Sequence, residues 1–343
     1  MTGKPHEPSL SASLILLSPL ANATADGFDY KVCLLERGSH ISNASATVFP
    51  GGNLDPVDYE AARRFATQNS NDISSSPAEN SASLPLPALR ACAVRETFEE
   101  VGVLLTSSEY TTPPKGADYK AWRKELSKNP SFFLELYSLL KTSDEQARPP
   151  LEELIEWSRW ITPTTQPKRF DTTFFLHILP QSSIRSENPL LKADGTETAS
   201  AEWSTPKEAL DRCLKEKKTI LFPPQVYLLT ELASLPTLRE VRSYAPHRRL
   251  LTILPRAKAV GREKKHLAFV YPGDPEYEKD GKISDSASRH RTYAEAIFKD
   301  GRAAKPKQPL TVRGVVRTGI DGFPDMRIGE IPSDEDLGDK SKL

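Results

Sequence analysis

Hydrophobic and polar residues alternate along this chain in blocks that change period several times. Short apolar or alternating runs at 12–17, 31–36, 171–179 and around 201–203 predict strands. Segments with apolar residues every three to four positions predict helices near 88–101, 119–141, 150–157, 205–216 and 224–233. Strands interleaved with helices predict an α/β layered domain. Residues 66–87 (ATQNSNDISSSPAENSASLPLP) are rich in Ser, Asn and Pro and read as an exposed insertion. After about residue 240, RRLLTIL, HLAFVYP and LTVRGVVRTG read as short strands among basic and Gly- or Pro-rich loops. The final SDEDLGDKSKL is polar and reads as a tail. No internal repeat is evident.

Composition narrows the function classes. The 343 residues carry 46 Lys and Arg against 46 Asp and Glu, so the basic surplus that marks non-specific nucleic-acid binding is missing. Nucleic acid is not expected as a partner. Cys33, Cys92 and Cys213 are odd in number and widely spaced, which suits neither a disulfide framework nor a zinc site and fits a reducing compartment. No stretch approaches the roughly 18 apolar residues of a membrane span. The run Leu14–Leu17 pairs better with KVCLLER at 31–37 as a strand than it serves as a signal-peptide core.

The chemistry concentrates in ACAVRETFEEVGV at 91–103. On a helix at about 100° per residue, Glu96, Glu99 and Glu100 share one face. Ala91, Val94, Phe98 and Val101 lie opposite, Cys92 and Ala93 flank the carboxylates as small neighbours, and Gly102 stops the helix. The common meaning of such a pattern is a solvated acidic face, although Glu96 and Glu100 repel at this spacing. The alternative is a site for a hard divalent cation, which takes carboxylate oxygens and keeps waters for a phosphate-bearing substrate.

Upstream, VFPGGNLD at 48–55 places a Gly-Gly turn after a strand. Together with RETFEEVG it resembles the Nudix box, G-x5-E-x7-R-E-U-x-E-E-x-G-U, with Gly52, Arg95, Glu96, Glu99, Glu100 and Gly102 in matching order. Three departures stand out. Asp58, a shorter acid, takes the upstream Glu position. Between Asp58 and Arg95 lie 36 residues where the box has 7, an insertion of 29, and Thr97 replaces an aliphatic residue. The split box, WITPTTQPKRFDTTFFL at 160–176, EWSTPKEAL at 202–210 and LFPPQ at 221–225 resemble the peroxisomal acyl-coenzyme A diphosphatase subfamily.

The resemblance implies a Nudix α/β/α sandwich with a mixed sheet over residues 10–235, interrupted at about 59–87. A β-rich extension over 236–332 and a tail over 333–343 follow. It implies a diphosphatase acting on CoA or acyl-CoA, with Glu96, Glu99 and Glu100 holding Mg²⁺ or Mn²⁺ and Arg95 tying down a helix carboxylate or the glycine loop. Gly51, Gly52, Arg37 and Arg169, the last beside Lys168, are the expected substrate contacts. The general base is one of Glu99, Glu100, Glu197 or Glu202. NADH, ADP-ribose or capped RNA as substrate, or a non-catalytic binding protein of the same fold, are competing readings. The CoA signature of another Nudix branch would need Arg and Gly where Ile41 and Ser45 stand. The segment 239–265 holds nine Lys or Arg against Glu240 and Glu263 and is a further phosphate candidate. Ser341-Lys342-Leu343 reads as an address for the peroxisomal import receptor.

Overall fold

The computed structural model describes residues 7–38, 46–65, 84–107, 118–141, 145–180, 191, 193, 198–260, 266–274 and 277, and the strands at 289–295, 298–299, 302–303, 312–318 and 326–329. Strands β1 (Ser9–Pro19) and β2 (Tyr30–Arg37) pair antiparallel at one end, Leu17 opposite Val32 and Pro19 opposite Tyr30. Beyond that they splay. Buried backbone groups demand partners, and residues 46–53 supply them: β3 (Ala46–Val48) pairs with β2 and β4 (Gly51–Asn53) pairs with β1. The Pro50 carbonyl closes the junction, accepting from the Leu14 N–H (2.8 Å) and the Ser13 hydroxyl (2.9 Å).

Helices α1 (Pro56–Phe65), α2 (Leu86–Val101), α3 (Tyr119–Leu126) and α4 (Phe132–Leu140) follow, then β5 (Ile155–Ile161) and β6 (Phe170–Ile178). β6 runs parallel to β1 from Ser9–Phe170 to Leu17–Ile178, and β5 is antiparallel to β6. β7 (Thr198–Ser204) pairs with the outer edge of β2. After α5 (Pro206–Leu214), β8 (Ile220–Leu221) lies parallel to β3. Two helices, α6 (Pro223–Ala233) and α7 (Leu238–Tyr244), come next, and β9 (Thr252–Ile253) extends the sheet beside β5. The result is one mixed sheet.

Successive residues of a strand point to opposite faces, and both faces of β1 are covered. Ala12, Leu14 and Leu16 join a core with α1, α2 and α4, whereas Ile15 and Leu17 join a second core with α5, α6 and α7. This double burial explains why β1 reads as a continuous apolar run. The molecule is therefore the α/β/α sandwich expected from the sequence.

Three expectations change. The segment 150–157 is not helical: after Pro149 and Pro150 a 3-10 turn at Leu151–Glu153 leads into β5, whose Ile155, Trp157 and Trp160 are strand-favouring residues that cover the edge of β6. The helix expected over 119–141 divides into α3 and α4 around Asn129-Pro130, because proline has no N–H for the helical ladder. Part of the expected insertion, residues 59–65, is ordered helix in α1; residues 66–83 lie outside the described residues.

The chain past residue 235 stays in the second core. Glu231, fully buried, accepts from Trp157 Nε1 (2.9 Å), the Tyr244 hydroxyl (3.1 Å) and Arg248 Nη2 (2.9 Å), tying α6 to β5 and α7. A second antiparallel sheet runs β10 (Arg256–Val260), β11 (His266–Val270), β12 (Arg289–Glu295), β15 (Val312–Thr318) and β16 (Met326–Gly329), with β13 (Phe298–Lys299) and β14 (Arg302–Ala303) paired separately. Phe269 and Tyr271 are buried in the second core, where Tyr271 packs edge-on against Trp160 (5.2 Å) and Tyr227 (5.7 Å). Among the described residues, no helix is long and apolar enough to cross a membrane.

Burial pulls the His177 imidazole on β6 down to about 4. Its unfolded value is higher, so its contribution to stability is whole above pH 6.5 and drains away as pH falls toward 4. Between pH 7 and pH 4.5, urea unfolding should show an acid loss about 2–3 kcal/mol smaller in His177→Gln than in the wild type. Equal acid loss in both proteins would contradict this.

Candidate active site

The site forms where α2 crosses β4. A Cβ on Gly51 would lie 2.3 Å from the Ala12 carbonyl oxygen, and one on Gly52 would lie 2.4 Å from Glu96 Oε1. Gly51 therefore needs glycine for its close approach to the β1 backbone, whereas a side chain at Gly52 would displace the Glu96 carboxylate. The Gly51 N–H donates to Glu100 Oε2 at 2.8 Å, which fixes the glycine turn directly to the glutamate helix.

Arg95 is the centre of the arrangement. It is 3% exposed, yet its guanidinium is fully used. Nε and Nη2 fork onto Asp58 at 2.9 and 3.0 Å, Nη1 donates to Glu96 at 2.9 Å and lies 3.6 Å from Glu99, and Nη2 also reaches the Asn53 carbonyl at 3.2 Å. Burial alone would pull the guanidinium toward losing its proton. The Asp58 hydrogen bonds and the nearby Glu96 charge more than reverse this, so Arg95 is held firmly protonated. Burial raises the Asp58 carboxyl, and Arg95 and the Asp55 N–H oppose that rise.

Asp58 has a second duty. Its Oδ2 accepts from the Asp55 N–H (2.8 Å), while Asp55 Oδ1 accepts from the Val57 N–H (2.9 Å). Asp55 is therefore the N-cap of α1, and the Asp58 carboxylate reaches back to its N–H, which starts the helix immediately after the glycine turn. The shorter acid at the box position is thus placed by the helix that opens the insertion. The Asp-Pro-Val-Asp spacing was the available signal for that helix.

The carboxylate surface on α2 is narrower than the wheel suggests. Cys92, Ala93 and Thr97 are buried along with the apolar positions, leaving Glu96 and Glu99 as the partly exposed residues between 91 and 101. Thr97 fits an aliphatic site because its hydroxyl bonds to the Ala93 carbonyl at 2.7 Å. Cys92 packs against the Gly52 and Asn53 carbonyls, and burial lifts its thiol well above the usual value, which makes it inert. Among the described residues no three His, Cys, Asp or Glu side chains form a ready-made metal cluster.

The other candidates separate. Arg37 ends β2 on the same strand face as Cys33 and Leu35, the face that carries α2, and its buried Nε has no hydrogen-bond partner among the described residues. Arg169 is not brought to the glycine turn. Thr173 is level with Ala12 and Gly52, and Arg169 precedes it by four residues, about 13 Å of strand. Arg169 Nε donates instead to the Thr162 carbonyl (3.0 Å), and Lys168 lies over the Phe170 ring. Glu202 faces the second core, opposite Leu34 on β2, and pairs with Arg212 of α5. It is on the wrong side of the sheet to serve α2. Arg248, Arg256 and Glu240 in the basic segment are engaged with Glu231, the Tyr277 ring and the Thr237 cap. Glu197, His40, Ile41, Ser45 and Ser341–Leu343 lie outside the described residues.

A mixed sheet between helical layers, with a glycine turn pinned to an Arg-Glu-x-x-Glu-Glu helix, is the architecture of a Nudix hydrolase, a class that splits diphosphate bonds. The family model described as the NUDT19 Nudix domain matches residues 9–232, and the chain belongs to that family. A Xenopus laevis protein named acyl-coenzyme A diphosphatase NUDT19 is 29% identical over 314 residues, spanning 80% of this chain and 79% of its own. The Homo sapiens protein of the same name is 29% identical over 314 residues, covering 81% and 80%. A crystal structure of a Nudix hydrolase from Alicyclobacillus acidocaldarius matches with a TM-score of 0.51 at 24% identity, over 69% of this chain and 96% of that one, and shares the fold.

Removing Asp58 strands a buried guanidinium. Asp58→Ala should cost about 3–5 kcal/mol of unfolding free energy, measured by urea denaturation. A loss under about 1 kcal/mol, the worth of an exposed pair, would show that the clamp does not hold the site.

Proposed function

We propose that this chain hydrolyses the diphosphate of CoA or acyl-CoA, giving 3′,5′-ADP and 4′-(acyl)phosphopantetheine. The observation that carries the reading is the repaired box: Asp58 and Arg95 meet across the insertion and leave Glu96, Glu99 and Glu100 on one edge of α2. Relatives named for acyl-CoA diphosphatase activity, aligned over four-fifths of the chain, support the choice of substrate.

Three carboxylates on adjacent turns are hard oxygen donors, and the partial exposure of Glu96 and Glu99 leaves them open to solvent on one side, which suits Mg²⁺ or Mn²⁺. Glu96, Glu99 and Glu100 would hold the ion, which when bound draws charge from phosphoryl oxygens and acidifies bound water. The chain's own residues do the rest. Arg95 orients Glu96, and the Gly51 N–H fixes Glu100. Glu99 is the most open of the three carboxylates and is the proposed proton acceptor for the attacking water. Water oxygen bonds to phosphorus as one P–O bond of the anhydride breaks, and the departing phosphate keeps the electron pair. Arg37, at the end of β2, would receive the additional phosphate charge of a CoA nucleotide.

With Mg²⁺ saturating, Glu99→Gln should lower kcat about 10²- to 10⁴-fold, whereas Glu202→Gln should leave it unchanged. Full turnover in both Glu99→Gln and Glu100→Gln would remove the site assignment. A kcat/KM panel separates the substrates, and preference for NADH over every CoA species would overturn the CoA reading.

The same proposal sends the protein to peroxisomes through Ser341, Lys342 and Leu343, read by the import receptor. A fluorescent fusion ending in these residues should become punctate with a peroxisomal marker and diffuse when they are deleted; identical distributions would contradict it.

A further inference from the structure

The last turn of α2 carries Glu99 and Glu100, and like any helix end it leaves carbonyls without intrahelical partners. The Gly102 N–H returns to the Phe98 carbonyl at 3.0 Å with Gly102 in the left-handed conformation, φ 76°. The next carbonyl, that of Glu99, is taken from outside. Arg123 of α3 donates to it through Nε at 3.1 Å and Nη2 at 2.7 Å. A Cβ on Gly102 would lie 3.2 Å from Arg123 Nη1, so the glycine also makes room for the guanidinium.

The rest of α3 is built to hold Arg123 there. Asp118 caps its N-terminus, accepting from the Ala121 N–H at 3.0 Å. Tyr119 packs edge-on against Phe98 of α2 at 5.6 Å, and Leu126 is fully buried in the first core. A cation at a helix C-terminus is favoured by the helix dipole. Here its fork grips the backbone of the very residue whose side chain faces the site.

We propose that Arg123 is a positioning residue for the carboxylate turn, fixing the backbone of Glu99 so that Glu99 and Glu100 present their oxygens to a divalent cation. This rests on the reading that the α2 glutamates hold the metal. It explains why a helix outside the glycine–glutamate motif is anchored to the end of α2 rather than to its middle.

The test compares wild type, Arg123→Lys and Arg123→Ala, using Mn²⁺ alone, without substrate, titrated by electron paramagnetic resonance. Turnover of acetyl-CoA is followed as a function of Mg²⁺, and circular dichroism confirms the fold. Arg123→Ala should weaken Mn²⁺ binding and raise the Mg²⁺ requirement roughly 10- to 100-fold, with KM for acetyl-CoA at saturating Mg²⁺ nearly unchanged. Arg123→Lys keeps the charge without the planar fork and should fall between the two, which preserves the test if the alanine variant does not fold. Wild-type Mn²⁺ affinity in a folded Arg123→Lys and Arg123→Ala would overturn the proposal while leaving the metal reading intact. A wild-type protein that binds no Mn²⁺ would overturn both.

Discussion

A charged guanidinium buried at 3% exposure must be completely paired or the fold pays heavily, and Arg95 turns that requirement into an active-site geometry. Its partners come from three elements: Asn53 on β4 and Asp58 at the start of α1, 42 and 37 residues back along the chain, and the adjacent Glu96 on α2 itself. None of the three can drift without leaving the charge exposed to a low-dielectric interior. The glycine turn, the first helix of the insertion and the glutamate helix are therefore set relative to one another by a single side chain. The Gly51–Glu100 hydrogen bond adds a second tie across the same junction.

This arrangement accounts for a motif that survives being cut in two. The chain between Asp58 and Arg95 is long, but loop-closure entropy grows only logarithmically, by about 0.6 kcal/mol per doubling. What matters is that both sides of the cut end in structure. Asp58 is anchored by its hydrogen bond from the Asp55 N–H at the start of α1, and α1 packs Val57, Ala61 and Phe65 into the core shared with α2. On the far side, α3 meets the end of α2 through Arg123 and Tyr119.

Much of this was legible in the sequence, for local reasons. The FPGG and RETFEE segments have fixed spacing, and β1, β2 and β6 announce themselves because burial on two faces forces apolar runs. What escaped depended on tertiary partners. Trp157 and Trp160 belong to a strand because β6 needed an edge covered, though their neighbours scan as helical. Arg169 follows a recognisable segment, but the parallel register of β6 with β1 carries it away from the glycines. The helical wheel groups the three glutamates with Cys92 and Ala93 as small neighbours, but it does not show that both neighbours are fully buried, Cys92 against the Asn53 carbonyl of β4. No pattern in the sequence shows Arg123 reaching back 24 residues to a backbone carbonyl.

The central claim is that this clamped glutamate helix cleaves the diphosphate of coenzyme A thioesters. The most direct measurement is mass spectrometry of the products formed from acetyl-CoA by the purified full chain, with and without Mg²⁺. The account predicts 3′,5′-ADP and acetyl-phosphopantetheine only when the metal is present. Intact acetyl-CoA under both conditions, with NADH cleaved by the same preparation, would contradict it.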